Sequence, residues 1–220
     1  MIYKNEKQLI DVEFPMEVRS QIVSSVFMGY ELVTKLVKEH LWLQSVYGKN
    51  AYGDLRNAAV SFCIDHKISE NKLPIVSKSA TNSRNNYNYI QILTNNSLIN
   101  VSQVMHPNAV PPYADFRFEN SFMNGQLEFF DNDGTIEIDN KVELSNSRYY
   151  MLLTHGCTMN LPSFIHIGIP EVGAKKWRYQ YNLLRDPQLI HQSDKEEIEV
   201  VLPKFKERVL KGVQGDGQKF

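Results

Sequence analysis

Apolar residues recur at helical spacing along the first third of the chain and at strand spacing through its middle. After Pro15, which suits the first turn of a helix, Val18, Ile22, Val26, Val33, Val37 and Leu41 fall on one stripe. Leu32, Leu36 and Leu43 widen it. Gly29 and Tyr30 interrupt the stripe, so a kink or a break into two helices is expected there. Gly48, Asn50 and Gly53 end it. A second helix is predicted from Asp54, a suitable N-cap, with Leu55, Ala58, Ala59, Phe62 and Cys63 as its buried stripe. It stops near Ser69, ahead of Pro74.

The stretch 77–86 is too rich in Ser and Asn to hold a core. Strand patterns follow it. Residues 87–94 and 98–105 alternate on either side of Asn95 and Asn96, which predicts a hairpin. His106-Pro107 and Pro111-Pro112 stiffen a connection into a further extended run at 113–118. Residues 126–130 and 135–144 flank the turn Asp131-Asn132-Asp133-Gly134 and make the clearest hairpin signal in the chain. The apolar runs 148–154 and 163–169 read as central strands, the second ended by Pro170. Trp177, Tyr179 and Tyr181 alternate with Arg178, Gln180 and Asn182 and add one more strand, while Pro203 opens a short C-terminal helix.

Together these elements predict one α+β domain over residues 1–214. A helical layer (1–70) packs on a mostly antiparallel or mixed sheet of roughly six to eight strands (74–184). A C-terminal helical segment (194–212) and a tail (215–220) complete it.

Composition narrows the setting. With 42% hydrophobic and 22% charged residues, the chain can bury a core without disulfide staples. Cys63 and Cys157, both in apolar text, read as two thiols in a reducing cytosol. The opening residues carry charges throughout, so there is no apolar signal core, and no apolar run is long enough for a membrane span. A soluble, cytoplasmic protein is expected. Its formal charge of −1 gives no chain-wide pull toward nucleic acid or an anionic membrane, so any such binding has to be local.

Candidate chemistry lies almost wholly in the sheet region. In the 126–144 hairpin, Glu128, Asp131, Asp133, Glu137, Asp139 and Glu143 surround a single base, Lys141. Asp139 and Lys141, two apart on a strand, point to one face. An acid followed by Asp-x-Lys on the next strand resembles the PD-(D/E)xK nucleases. The resemblance implies Mg²⁺ held by Asp131 and Asp139, Lys141 beside the attacked phosphate, and Glu128 or Glu137 assisting. A tight turn and a solvated strand face account for the same carboxylates without catalysis. His155, Cys157 and His166 are residue types that bind transition metals, or that form a nucleophile–base pair, but they lack a fourth ligand and any CxxC spacing.

Two stretches interleave cations and aromatics: Lys78, Arg84, Tyr87 and Tyr89 in one, and Lys175, Lys176, Trp177, Arg178, Tyr179 and Tyr181 in the other. Such mixtures suit phosphates and stacked bases, or a protein partner. Arg117, between Phe116 and Phe118 on an extended run, is expected to face away from their buried side, as a phosphate clamp or a solvated arginine. Phosphate-binding glycine loops, nucleophile elbows and kinase signatures are absent from the sequence.

The segments LTNNSLINVSQVMHPNAVPP and YYMLLTHGCTMNLPSFIHIGIPEVGAKKW resemble uncharacterised bacterial proteins, some associated with mobile elements or phage conflict, over about residues 56–184. That resemblance implies a setting and no activity, ligand or site. The leading expectation is a non-catalytic binding protein acting through a protein partner. A homodimer seam along the first helix, extended by Trp42 and Leu43, is one form of it. A Mg²⁺-dependent nuclease and a nucleic-acid binder without cleavage are the alternatives.

Overall fold

Helix α2 (Met16–Glu39) starts directly after Pro15 and runs unbroken through Gly29 and Tyr30. The helix does not break there, and the reason lies in packing. A Cβ on Gly29 would lie 2.7 Å from the backbone nitrogen of Val60 in helix α4 (Tyr52–Ser69), so this glycine lets two helix backbones touch. Gly29→Ala is expected to cost about 2 kcal/mol by wedging α2 from α4. The measurement is a urea midpoint, and an unchanged midpoint would show that the contact carries no constraint.

The computed structural model describes residues 3, 5–82, 86–125, 148–158, 160–186 and 201–207. Helix α1 (Glu6–Glu13), unread in the sequence because its charges mask Leu9 and Ile10, is capped by the Asn5 side chain, which accepts from the Gln8 N–H at 2.9 Å. Helix α3 (Leu41–Gln44) follows α2. Helix α4 begins two residues before Asp54, which therefore sits in its first turn. It buries Ala59, Val60, Cys63, Ile64 and Lys67 and leaves Ala58 exposed. The predicted stripe was rotated because α4 is wedged between α2 and the sheet and has to bury residues toward both.

Six strands lie side by side in chain order: β1 (Val76–Thr81), β2 (Asn88–Leu93), β3 (Ser97–Gln103), β4 (Tyr149–Thr158), β5 (Leu161–Pro170) and β6 (Trp177–Asn182). Every pairing is antiparallel except β3–β4, which is parallel. The fold is α+β: N-terminal helices on a mixed, mostly antiparallel sheet with a short C-terminal helix. The polar text at its start supplies the edge strand β1, which needs backbone pairing with β2 more than it needs a core. The extended run expected at 113–118 is instead helix α5 (Asp115–Ser121), with Asp115 in its acid-favouring first turn.

The two sheet faces bury different things. Ile90, Ile92, Ile99, Val101, Met151, Leu153, Ile165 and Ile167 meet α1, α2 and α4 in the main core. On the other face Leu98, Tyr150 and Leu152 lie under Met123 and Trp177. A third cluster joins Met28, Leu32, Val33, Ala59 and Cys63 to Val201 and Phe205 of the helical segment 201–207, which contains Pro203. Cys63 and Cys157 are not bridged. Among the described residues no helix is long and apolar enough to cross a membrane.

Two polar junctions fix the frame. The Glu13 carboxylate, nearly buried, accepts from the Tyr3 hydroxyl (2.7 Å), the Asn96 backbone N–H (3.1 Å) and side-chain amide (2.9 Å), and the Thr94 hydroxyl. It thereby anchors the β2–β3 turn to α1. Burial pushes this carboxyl's pKa up, but the hydrogen bonds outweigh it and hold the group below the usual range. Arg19 donates through Nε to the Phe14 carbonyl (2.6 Å), pairs with Asp11 and with Asp186 (3.2 Å), and lies over the Tyr181 ring at 4.8 Å.

Candidate binding surfaces

Val201 and Phe205 pack on Met28, Leu32 and Val33, part of the helix along which a dimer seam is expected. What stays uncovered is the corner just beyond α2. There Leu43 is fully buried, while Leu41, Trp42, Val46 and Tyr47 are 80%, 63%, 77% and 86% exposed. Hydrogen bonds hold this corner in shape. The Gln44 amide donates to the Val37 carbonyl (3.1 Å), the Tyr52 hydroxyl to Leu43 (2.9 Å) and the Ser45 hydroxyl to Trp42 (2.6 Å). The Gly48 N–H donates to Ser45 Oγ at 3.0 Å, and a Cβ on Gly48 would lie 2.3 Å from the Trp42 carbonyl oxygen, so only glycine lets the chain double back. Its signal in the sequence is the apolar text LWLQSVY running past the end of the helical stripe.

The cation-and-aromatic tract at 175–181 is divided by the sheet. Lys175 and Lys176 stand exposed on the β5–β6 turn, where Gly173 and Ala174 take φ of 86° and 50°. Trp177 covers Gly168, where a Cβ would lie 2.5 Å from its ring. Arg178 pairs with Glu6 at 2.6 Å, and Tyr179 packs against the main core. Only the two lysines are thus presented outright. In the other stretch, the Tyr87 hydroxyl accepts from the Asn57 amide (3.0 Å) and Tyr89 stacks on Phe116, with ring centroids 3.9 Å apart and 14° between planes. Arg84 lies outside the described residues.

Arg117 sits on α5, where successive side chains are about 100° apart rather than on opposite sides. Its guanidinium therefore lies over the Phe116 ring, at 4.8 Å, instead of turning away from it. It donates from Nη1 to the Pro112 carbonyl (2.8 Å) and from Nη2 to Ser102 Oγ (3.4 Å), and its buried Nε has no acceptor.

His155 and His166 occupy opposite faces of the sheet, because His155 lies in β4 opposite Ile165 while His166 lies opposite Thr154. The His155 ring is fully buried and shares a hydrogen bond with the Tyr30 hydroxyl (Nδ1 to Oη, 2.9 Å). Burial, with Arg56 nearby, pushes its pKa down to about 3. Burial also raises the Tyr30 hydroxyl's pKa, and the nearby Cys157 adds to the rise. On the other face His166 Nδ1 shares a hydrogen bond with the Pro107 carbonyl at 3.1 Å, and burial lowers its pKa. Among the described residues no three His, Cys, Asp or Glu side chains gather closely enough to hold a metal ion.

The nuclease-like candidates Asp131, Asp139 and Lys141, with Glu128 and Glu137, lie in 126–147, outside the described residues. Comparison with known proteins finds no match for this chain, whether among family models, curated proteins or solved structures.

Proposed function

We propose that this protein is a non-catalytic, cytoplasmic binding protein that acts through a protein partner, with Trp42 and Tyr47 at the centre of the contact. The observation that carries the proposal is the exposed corner of Leu41, Trp42, Val46 and Tyr47 on a hydrogen-bonded frame. Large apolar side chains exposed together mark interaction sites, and Trp and Tyr supply a large share of contact energy where they occur. A corner already held in shape loses little conformational freedom on docking, which favours affinity. The resemblance to proteins of phage or mobile-element conflict suits a protein whose work is capture.

The test is site-specific crosslinking from position 47 in cells of the native host. One dominant adduct is expected, and Trp42→Ala should weaken its formation at least tenfold, the effect of a central aromatic anchor worth about 2 kcal/mol. A second copy of the chain as the adduct would make the partner a homodimer. An adduct pattern indifferent to Trp42→Ala would remove the corner from consideration. The same preparation is expected to leave plasmid, single-stranded DNA and RNA intact in Mg²⁺ or Mn²⁺. Cleavage abolished by Asp139→Ala would replace binding with Mg²⁺-dependent nuclease activity.

A further inference from the structure

On the sheet face away from α2, the proline-rich connection, α5 and the β5–β6 turn line a half-open cavity of about 230 Å³. Among the described residues that line it, two are cations, Arg117 and Lys175, and none is an acid. The remaining wall is largely apolar, with Val110, Pro111, Tyr113 and Phe118 prominent.

Arg117 gives the cavity its chemistry. Among the described residues no carboxylate lies within ion-pair distance of it; its acceptors are the Pro112 carbonyl at 2.8 Å and Ser102 Oγ at a long 3.4 Å. Its Nε is buried without an acceptor. A half-buried guanidinium met by neutral oxygens, with its Nε out of water and without an acceptor, gains when an anion reaches it. The ring of Phe116 under the guanidinium, itself stacked on Tyr89, holds that plane in place. Burial depresses the Arg117 pKa, in keeping with a cation short of counter-charge.

The geometry points to an organic carboxylate with an apolar body as the ligand of this cavity. The two carboxylate oxygens match the donor fork of Arg117, with Lys175 at the rim as a second positive charge. The body lies against Val110, Pro111, Tyr113 and Phe118. The volume is below the roughly 300–1,000 Å³ of sites for drug-sized molecules, so the body is a single ring or one side chain. A phosphate ion would leave the apolar wall without a partner. The carboxylate can come from a free small acid or from the last residue of a peptide, and the proposal is independent of the corner at Trp42.

Calorimetric titration of the full chain uses four probes: 3-phenylpropionate, acetyl-Gly-Gly-Phe, its C-terminal amide, and inorganic phosphate. Saturable binding of either acid is expected, with the amide at least tenfold weaker. The stronger of the two acids identifies the source, and either one upholds the site. Arg117→Met should abolish binding and Arg117→Lys should restore part of it. Lys175→Glu, at an exposed turn position where folding is not at stake, should weaken binding about tenfold, as for loss of one charge-assisted contact. The proposal is overturned if neither acid binds, if phosphate binds as tightly as the acids, or if Lys175→Glu leaves the affinity unchanged.

Discussion

Replacing Arg19 by methionine is expected to lower the unfolding free energy by about 4 kcal/mol, as when one partner is taken from a buried ion pair. Methionine keeps the length and much of the packing of the arginine stem, so the loss isolates the guanidinium. Three acceptors lose their donor: the Phe14 carbonyl, Asp11 and Asp186. They do not count equally. The Asp11 side chain is 45% exposed and can return to water, whereas that of Asp186 is 14% exposed and stays largely shielded. Burial alone would lower the Arg19 pKa, yet the bonds to Asp11 and Asp186 outweigh it and raise the value, so the charged form belongs to the folded state. Urea unfolding measures the loss. Adding Asp186→Asn to Arg19→Met should recover part of it, because the carboxylate that lost the guanidinium is then neutral, while the asparagine oxygen can still accept from the Tyr181 hydroxyl. A single variant within about 1 kcal/mol of the parent would show that the junction is held by packing alone.

Acid should destabilise the protein well before its carboxylates protonate. His155 is neutral when folded, with a pKa pushed to about 3, against the usual 6.5 that it regains on unfolding. Below pH 6.5 the unfolded chain therefore binds a proton that the folded chain refuses. Stability falls as pH drops from about 6.5 toward 3, by about 1.4 kcal/mol per pH unit at full slope, or about 3 kcal/mol by pH 4. Glu13, whose folded pKa is depressed, adds its own loss only as pH falls below the ordinary carboxyl value of 4.5. The two windows are separable. His155→Gln keeps a side chain able to hydrogen-bond Tyr30 and removes this titration, so its stability should fall less steeply between pH 6.5 and 5. The slope that remains comes from His166, whose pKa burial also lowers. Equal slopes for parent and variant in that interval would falsify the assignment.

Much of the frame was legible because period and punctuation survive in the text. Pro15, the Asn95-Asn96 turn and Pro170 stand at the boundaries they announced. What escaped shares a physical cause: the information lies in a partner far along the chain. Gly29 looks like a helix breaker until Val60 is known to press on it. The Phe116-Arg117-Phe118 text alternates like a strand, and only the helix with Tyr89 beside it shows why arginine and phenylalanine share a side. Charge and aromatic content offered Arg178 and Tyr179 as binding residues, but their partners depend on Glu6 and on the register with β5. Of the candidate surface, Trp42 was readable as an apolar residue beyond its stripe. Arg117 was readable as a residue of interest, though not its lack of a carboxylate partner among the described residues.

One asparagine has a consequence for how such a protein can change over generations. Asn124 accepts from the Tyr150 N–H (2.8 Å) and donates to the carbonyls of Tyr150 and Pro170 (2.9 Å each), stitching the end of the α5 connection to the start of β4. The chain thus leaves toward 126 and returns at 148 beside the same stitch. The bonds that hold the two ends of the intervening stretch are made by residues outside it, so substitutions within that stretch leave the donors and acceptors of those bonds in the chain. The acidic tract from Glu128 to Glu143 falls wholly within it. Selection on those carboxylates can therefore proceed apart from selection on Asn124, Tyr150 and Pro170.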